Sequence, residues 1–234
     1  MQKILISTSV QKLRDGMTAW GNSVNAGASD VVKNNVNIAL EKMLDCCSID
    51  KKTLDLSNLQ LSSLPPLPEW IEVLLVYHNK LTKIQVPELC KELSASFNEL
   101  TVFPEVPDNI IRISVANNKI SYIASFPSKA EIILIGHNNL SEIPAIPDTT
   151  KIFSCSYNNI KKITHFPQNL IHAFIEHNNI QALPALHSNL KTLYAEDNPI
   201  KEEFKIPSTL KNISLDSRQK KYCPETYFPG DDSD

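Results

Sequence analysis

Three histidines, His78, His137 and His177, share one position of an internal repeat, each immediately before an asparagine. Zinc would need their ring nitrogens about 2 Å from one ion. If each lies on its own strand of a parallel sheet, His137 and His177 stand two strands, roughly 10 Å, apart, and His78 is farther away. No metal site is expected from them, and no cofactor; hydrogen bonds at an interface suit them better. The five cysteines are Cys46, Cys47, Cys90, Cys155 and Cys223. Their number is odd, no CxxC pair occurs, and Cys90 and Cys155 fall on apolar repeat positions, so buried thiols in a reducing compartment are expected. Cys223 precedes Pro224-Glu225 in a polar tail, where neither a base nor a shielded pocket is in prospect for a nucleophile. GxGxxG, P-loop and HExxH motifs are lacking. The expectation is therefore a binding protein and no enzyme.

The elements that carry these residues recur about every twenty positions, and such a period decides the architecture. Leu74-Leu-Val-Tyr-His-Asn-Lys-Leu-Thr-Lys-Ile84 reads L-x-V-x-x-N-x-L-x-x-I, the core of a leucine-rich repeat. Inward pairs run Leu54/Leu56, Leu74/Val76, Leu93/Ala95, Ile113/Val115, Ile133/Ile135, Phe153/Cys155, Ala173/Ile175, Leu193/Ala195 and Ile213/Leu215, with one step of 19 residues into the third. Asn79, Asn98, Asn118, Asn138, Asn158, Asn178 and Asn198 follow in register, and the terminal repeats put Leu59 and Arg218 there. An amide has donors and an acceptor, so each asparagine can bridge the backbones of adjacent coils as a structural ladder. About nine residues remain for each return, too few for a helix with its connections. Prolines such as Pro65, Pro68, Pro87, Pro104 and Pro107 fix φ and favour a polyproline-II return. The expected fold is a leucine-rich-repeat solenoid with a parallel β-sheet on its concave face, an extended polyproline-II convex face and an N-terminal α-helical cap.

The expected divisions are residues 1–10, a leader or disordered segment; 11–50, a helical cap; 51–218, about nine repeats; and 219–234, a C-terminal cap and acidic tail. Leu13, Met17 and Trp20 make one face of a short helix ending before Gly21. After a connection to Gly27, Ser29 and Asp30 open a second helix, with Val32, Val36, Ala39, Leu40, Met43 and Cys47 as its apolar stripe. The pair should cover the open end of the solenoid. The net charge of -3 argues against nucleic acid. No apolar run is long enough for a membrane span, and the start of the chain lacks a signal peptide's pattern. The Asn139-Leu-Ser and Asn212-Ile-Ser matches to the glycosylation pattern are read as chance without one.

Alternation along a strand sends the remaining columns to the concave face, the usual binding surface of a solenoid. Leu75, Tyr77, Leu134, Tyr157, Phe174 and Tyr194 would present apolar or aromatic area there, which marks contact surfaces. His78, His137 and His177 add polar groups, with Glu176 and Glu196 orienting a partner. Glu176, Glu196, Asp197 and Asp216 gather toward the C-terminal end, where they meet a basic segment or form a solvated acidic face. The solenoid ends offer a route to self-association.

Asp55-Leu-Ser-Asn-Leu-Gln-Leu-Ser-Ser-Leu-Pro-Pro-Leu-Pro68 resembles the first repeat of the bacterial effector leucine-rich-repeat family, typified by Yersinia outer protein M and the repeat half of IpaH-type ubiquitin ligases. In that family a helical pair ending in an L-x-x-C-type segment precedes the first repeat, and Trp20 with Met43-Leu-Asp-Cys-Cys47 is similar to it. The resemblance runs from about Leu13 to Leu215. It implies delivery by a bacterium into the host-cell cytoplasm and a host protein bound on the repeat face. The ligases add a catalytic domain whose nucleophilic cysteine is closely followed by an aspartate. Cys223-Pro-Glu matches that poorly, so ligase activity is not expected; a substrate-recognition module lacking the catalytic domain, or a self-assembling structural protein, are the alternatives.

Overall fold

The computed structural model of the chain describes residues 2–48 and 51–219, with side chains for all of these but 2–9 and 48. Two compact units divide it, Met1–Asn118 and Lys119–Asp234.

The first unit opens with helix α1, Gln2–Asn25, and helix α2, Asp30–Ser48. α1 is longer at both ends than the Leu13–Trp20 stripe suggests, and it takes in residues 2–10. It runs straight through Gly21, because the glycine is a packing residue here: a Cβ would stand 2.9 Å from Leu40 Cδ1 of α2. The chain turns instead at Gly27, whose φ of +72° is the left-handed conformation that closes a helix cheaply with glycine. Asp30 sits in the first turn of α2, beside the positive end of the helix dipole. Val36, Ala39, Met43 and Cys46 form its buried stripe; Cys46, three residues beyond Met43, continues that face, and Cys47 is only half-buried. The helices lie against the first coil. Trp20 Nε1 donates to Ser63 Oγ at 3.0 Å, Lys42 Nζ to Asp55 O at 2.9 Å, and Gly16 admits Pro66 at 3.0 Å from where a Cβ would sit.

Strands β1 Thr53–Asp55, β2 Val73–Leu75, β3 Glu92–Ser94 and β4 Arg112–Ser114 pair in parallel and in chain order. In the second unit β5 Ile132–Leu134, β6 Ile152–Ser154, β7 His172–Phe174, β8 Thr192–Tyr194 and β9 Asn212–Ser214 do the same. The register matches Leu54, Leu74, Leu93 and Ile113 in the one, and Ile133, Phe153, Ala173, Leu193 and Ile213 in the other. These are the inward positions, and all are buried except Ile213, which is half-buried. Each fully buried Leu, Ile or Phe contributes about 1.5–3 kcal/mol against the entropy of ordering the chain. Volumes offset one another along the stack: bulky Phe153 faces small Ala173. This is a leucine-rich-repeat solenoid.

Among the described residues, the returns carry neither helix nor strand. One set of prolines has a specific task. Pro68, Pro87, Pro107, Pro127, Pro147, Pro167 and Pro207 each accept, through their carbonyls, the N–H of the residue three positions on, which turns the chain back into the next strand. That residue is then buried, as Ile71, Cys90, Ile110, Ala130, Leu170 and Leu210 are. Thr150 holds the same place as a polar residue and is tolerated because its hydroxyl donates to Ala130 O at 3.0 Å. Cys223 and nearly all of the expected C-terminal cap and tail lie outside the described residues. Gln219 is the exception. It is 2% exposed, and its Nε2 donates to Asn198 O at 2.7 Å, so it closes the last coil where Arg218 had been the marked position. No described helix is long and apolar enough to cross a membrane.

Candidate protein-binding face

The seven asparagines occupy one buried position each. Asn158 shows the pattern: its Oδ1 accepts Leu140 N at 3.0 Å, and its Nδ2 donates to Ile135 O at 3.1 Å and Cys155 O at 2.9 Å. The oxygen and the amide thus serve backbone groups of both the preceding coil and its own.

The residue before each asparagine is in the left-handed region. His78, Phe97, Asn117, His137, Tyr157, His177 and Asp197 have φ between 52° and 57°. That conformation costs a non-glycine residue roughly 1–2 kcal/mol. It aims carbonyls at the previous coil's ladder amides: Asn138 N donates to Tyr157 O at 3.3 Å, and Asn158 N to His177 O at 3.2 Å. It also throws the side chain onto the sheet face, where the rings stack. In the first unit His78 and Phe97 lie 4.2 Å apart, 11° from parallel. In the second, His137 and Tyr157 lie 4.1 Å apart, and Tyr157 and His177 4.0 Å. His177 Nδ1 ends the row 3.0 Å from Asp197 Oδ2. Such stacking contributes about 0.5–1.5 kcal/mol per pair and helps offset the backbone strain. His137 and His177 are therefore held apart by a tyrosine ring, and no three metal-ligating side chains converge among the described residues.

A second row lies at the ends of the strands. Phe174 and Tyr194 meet edge to face, with centroids 5.4 Å apart, and His172 joins through Nδ1 to Thr192 Oγ1 at 3.0 Å. Tyr157 and Tyr194 remain exposed, whereas Leu134, Phe174, Glu176, His177 and Glu196 are half-buried among these rows. On the first unit Leu75 and Tyr77 are likewise half-buried, and His78 and Phe97 are exposed. Sequence reasoning named most of these positions, but missed both the left-handed backbone and the stacks. Aromatic and histidine residues recurring immediately before the asparagine were the available signal.

The charged groups sort by place. At the start of the first unit's strands Lys52 and Lys91 both donate to Glu72, the latter at 2.6 Å, and hold its carboxylate at about 2. Burial pushes the thiols of Cys46 and Cys90 up to about 11 and that of Cys155 higher still.

No family model matches the sequence, and no curated protein matches it. Among solved structures, YopM, a leucine-rich effector protein from Yersinia pestis, superposes with a TM-score of 0.80 at 25% identity over 88% of this chain and 59% of that one. The resemblance to the bacterial leucine-rich-repeat effectors thus extends to the folded chain. YopM from Yersinia enterocolitica WA-314 gives 0.63 at 22% identity over 88% of this chain and 55% of its own. A Shigella effector LRR domain gives 0.59 at 24% identity over 92% and 91%. The chain spans under two thirds of the length of either YopM structure but nearly all of the Shigella domain.

Proposed function

We propose that this chain is a non-enzymatic effector module that docks a host protein on its sheet face after delivery by a bacterium into the host cytoplasm. The observation that carries the reading is the pair of aromatic rows, His137/Tyr157/His177 and Phe174/Tyr194, left facing solvent on a rigid ladder. Aromatic anchors on a preformed surface lose little conformational entropy on binding. The likeness in fold to YopM of Yersinia pestis supports a role as an effector. The Cys46 and Cys90 thiols fit a packing role: burial holds them near 11, so they stay protonated at neutral pH and are weak nucleophiles.

The test is capture from a eukaryotic cell lysate, read by mass spectrometry, beside Tyr157→Ala/Phe174→Ala checked for an unchanged melting temperature. A protein held by the wild type and lost with the variant supports the reading. Capture that the variant leaves intact removes the face from consideration.

A further inference from the structure

Between the two aromatic rows of the second unit lies the column Gly136, Ser156, Glu176, Glu196. Ser156 and Glu176 sit on consecutive coils, joined by the Tyr157 N to Glu176 O bond of 3.0 Å. Ser156 is 6% exposed, yet its hydroxyl makes no hydrogen bond. Glu176 Oε2 is also shielded and unpartnered. Two such groups in one column are each costly to leave unpaired, and water or an incoming group must satisfy them. Glycine at 136 suits the close approach of the next coil, since a Cβ there would crowd Ser156 O at 3.1 Å. The neighbouring acids are already engaged: Asp197 by His177, and Asp216 Oδ1 by Asp197 N at 3.0 Å.

We infer that this column is an arginine-recognition site, in which Glu176 and the Ser156 hydroxyl seat a guanidinium from an extended basic segment of the bound protein. The inference rests on the sheet-face reading and specifies what that face recognises. A shielded carboxylate oxygen next to a hydroxyl offers acceptors to several N–H donors held in one plane, which a guanidinium supplies and an ammonium does not. The flanking rings of Tyr157 and Phe174 accommodate the aliphatic stem. Glu196, next in the column, favours a second cation on the same segment.

The probes are acetylated, amidated hexa-arginine and hexa-lysine peptides, titrated by calorimetry at 150 mM salt and pH 7.4 into the full chain. Glu176→Gln, Ser156→Ala and the charge-matched control Glu202→Gln are each confirmed folded by melting. Hexa-arginine is expected to bind at least about fivefold tighter than hexa-lysine. Glu176→Gln should weaken it about tenfold or more, Ser156→Ala about threefold, and Glu202→Gln less than twofold. Backbone amide shifts at residues 156 and 176 on adding hexa-arginine locate the contact. Equal binding of both peptides, or equal losses for Glu176→Gln and Glu202→Gln, would overturn the site in favour of a diffuse acidic field. No binding of either peptide would also overturn it, while the sheet-face reading would stand if the lysate partner is still lost with Tyr157→Ala/Phe174→Ala.

Discussion

Two adjacent columns of this molecule share a spacing and a turn, and they differ in everything else. Asn79, Asn98, Asn118, Asn138, Asn158, Asn178 and Asn198 are one residue type, buried, and each is bonded through its amide to backbone groups at recurring positions. The residues just before them are histidine, phenylalanine, asparagine, tyrosine or aspartate. They share a φ near +55°, but their side chains lie on the face. The inner column is uniform because backbone geometry is its partner. The outer column varies because the backbone asks only for a strained φ there, and the side chains are free to suit what lies outside.

Breaking the inner column should cost most. Asn158→Ala strands Leu140 N and takes one of two amide donors from each of Ile135 O and Cys155 O, which keep Asn138 Nδ2 and Asn178 Nδ2, and should lose about 2 kcal/mol in urea unfolding. The outer column should respond weakly: Tyr157→Gly gives up two stacks but relieves the left-handed strain, so its unfolding free energy should stay within about 1 kcal/mol of wild type. A loss as large as that of Asn158→Ala would show that the two columns do not divide structure from recognition.

Smaller effects sharpen the contrast elsewhere. His187 stands where other coils place proline; its carbonyl makes the same turn bond, while neither ring nitrogen has a partner. His187→Pro should stabilise by about 0.5 kcal/mol in the same assay, by restricting the unfolded chain. The smallest effect concerns Glu72. Its folded pKa is lowered from 4.5 to about 2, so the contribution of its lysine pairs is full above pH 4.5 and disappears as the pH falls toward 2. A carboxyl-carbon NMR titration should find its midpoint near 2, and Lys91→Met should move that midpoint upward.

The inner column was legible in the sequence because a fixed period of apolar pairs and asparagines admits one packing. The inward partners Leu74 and Leu93 pair despite the single 19-residue step. The outer column was legible in position and not in conformation: phenylalanine and tyrosine are poor signals of a left-handed backbone, which apart from glycine favours asparagine, aspartate and histidine. Gly21 misled as a helix end because its role depends on Leu40, which is distant in sequence. Cys46 and Cys47 could exchange places because neighbouring residues on a short stripe differ by only one step of the helix. Ser156 gave no signal, since only the folded column shows its hydroxyl without a partner.

Amide hydrogen exchange of the chain, alone and with the host protein it captures, tests the central claim most directly. The account predicts protection concentrated at residues 154–157, 174–177 and 194–197, with the proline-bearing returns and helices α1 and α2 unchanged. Protection confined to the returns or the helices, with the face exchanging as in the free chain, would contradict it.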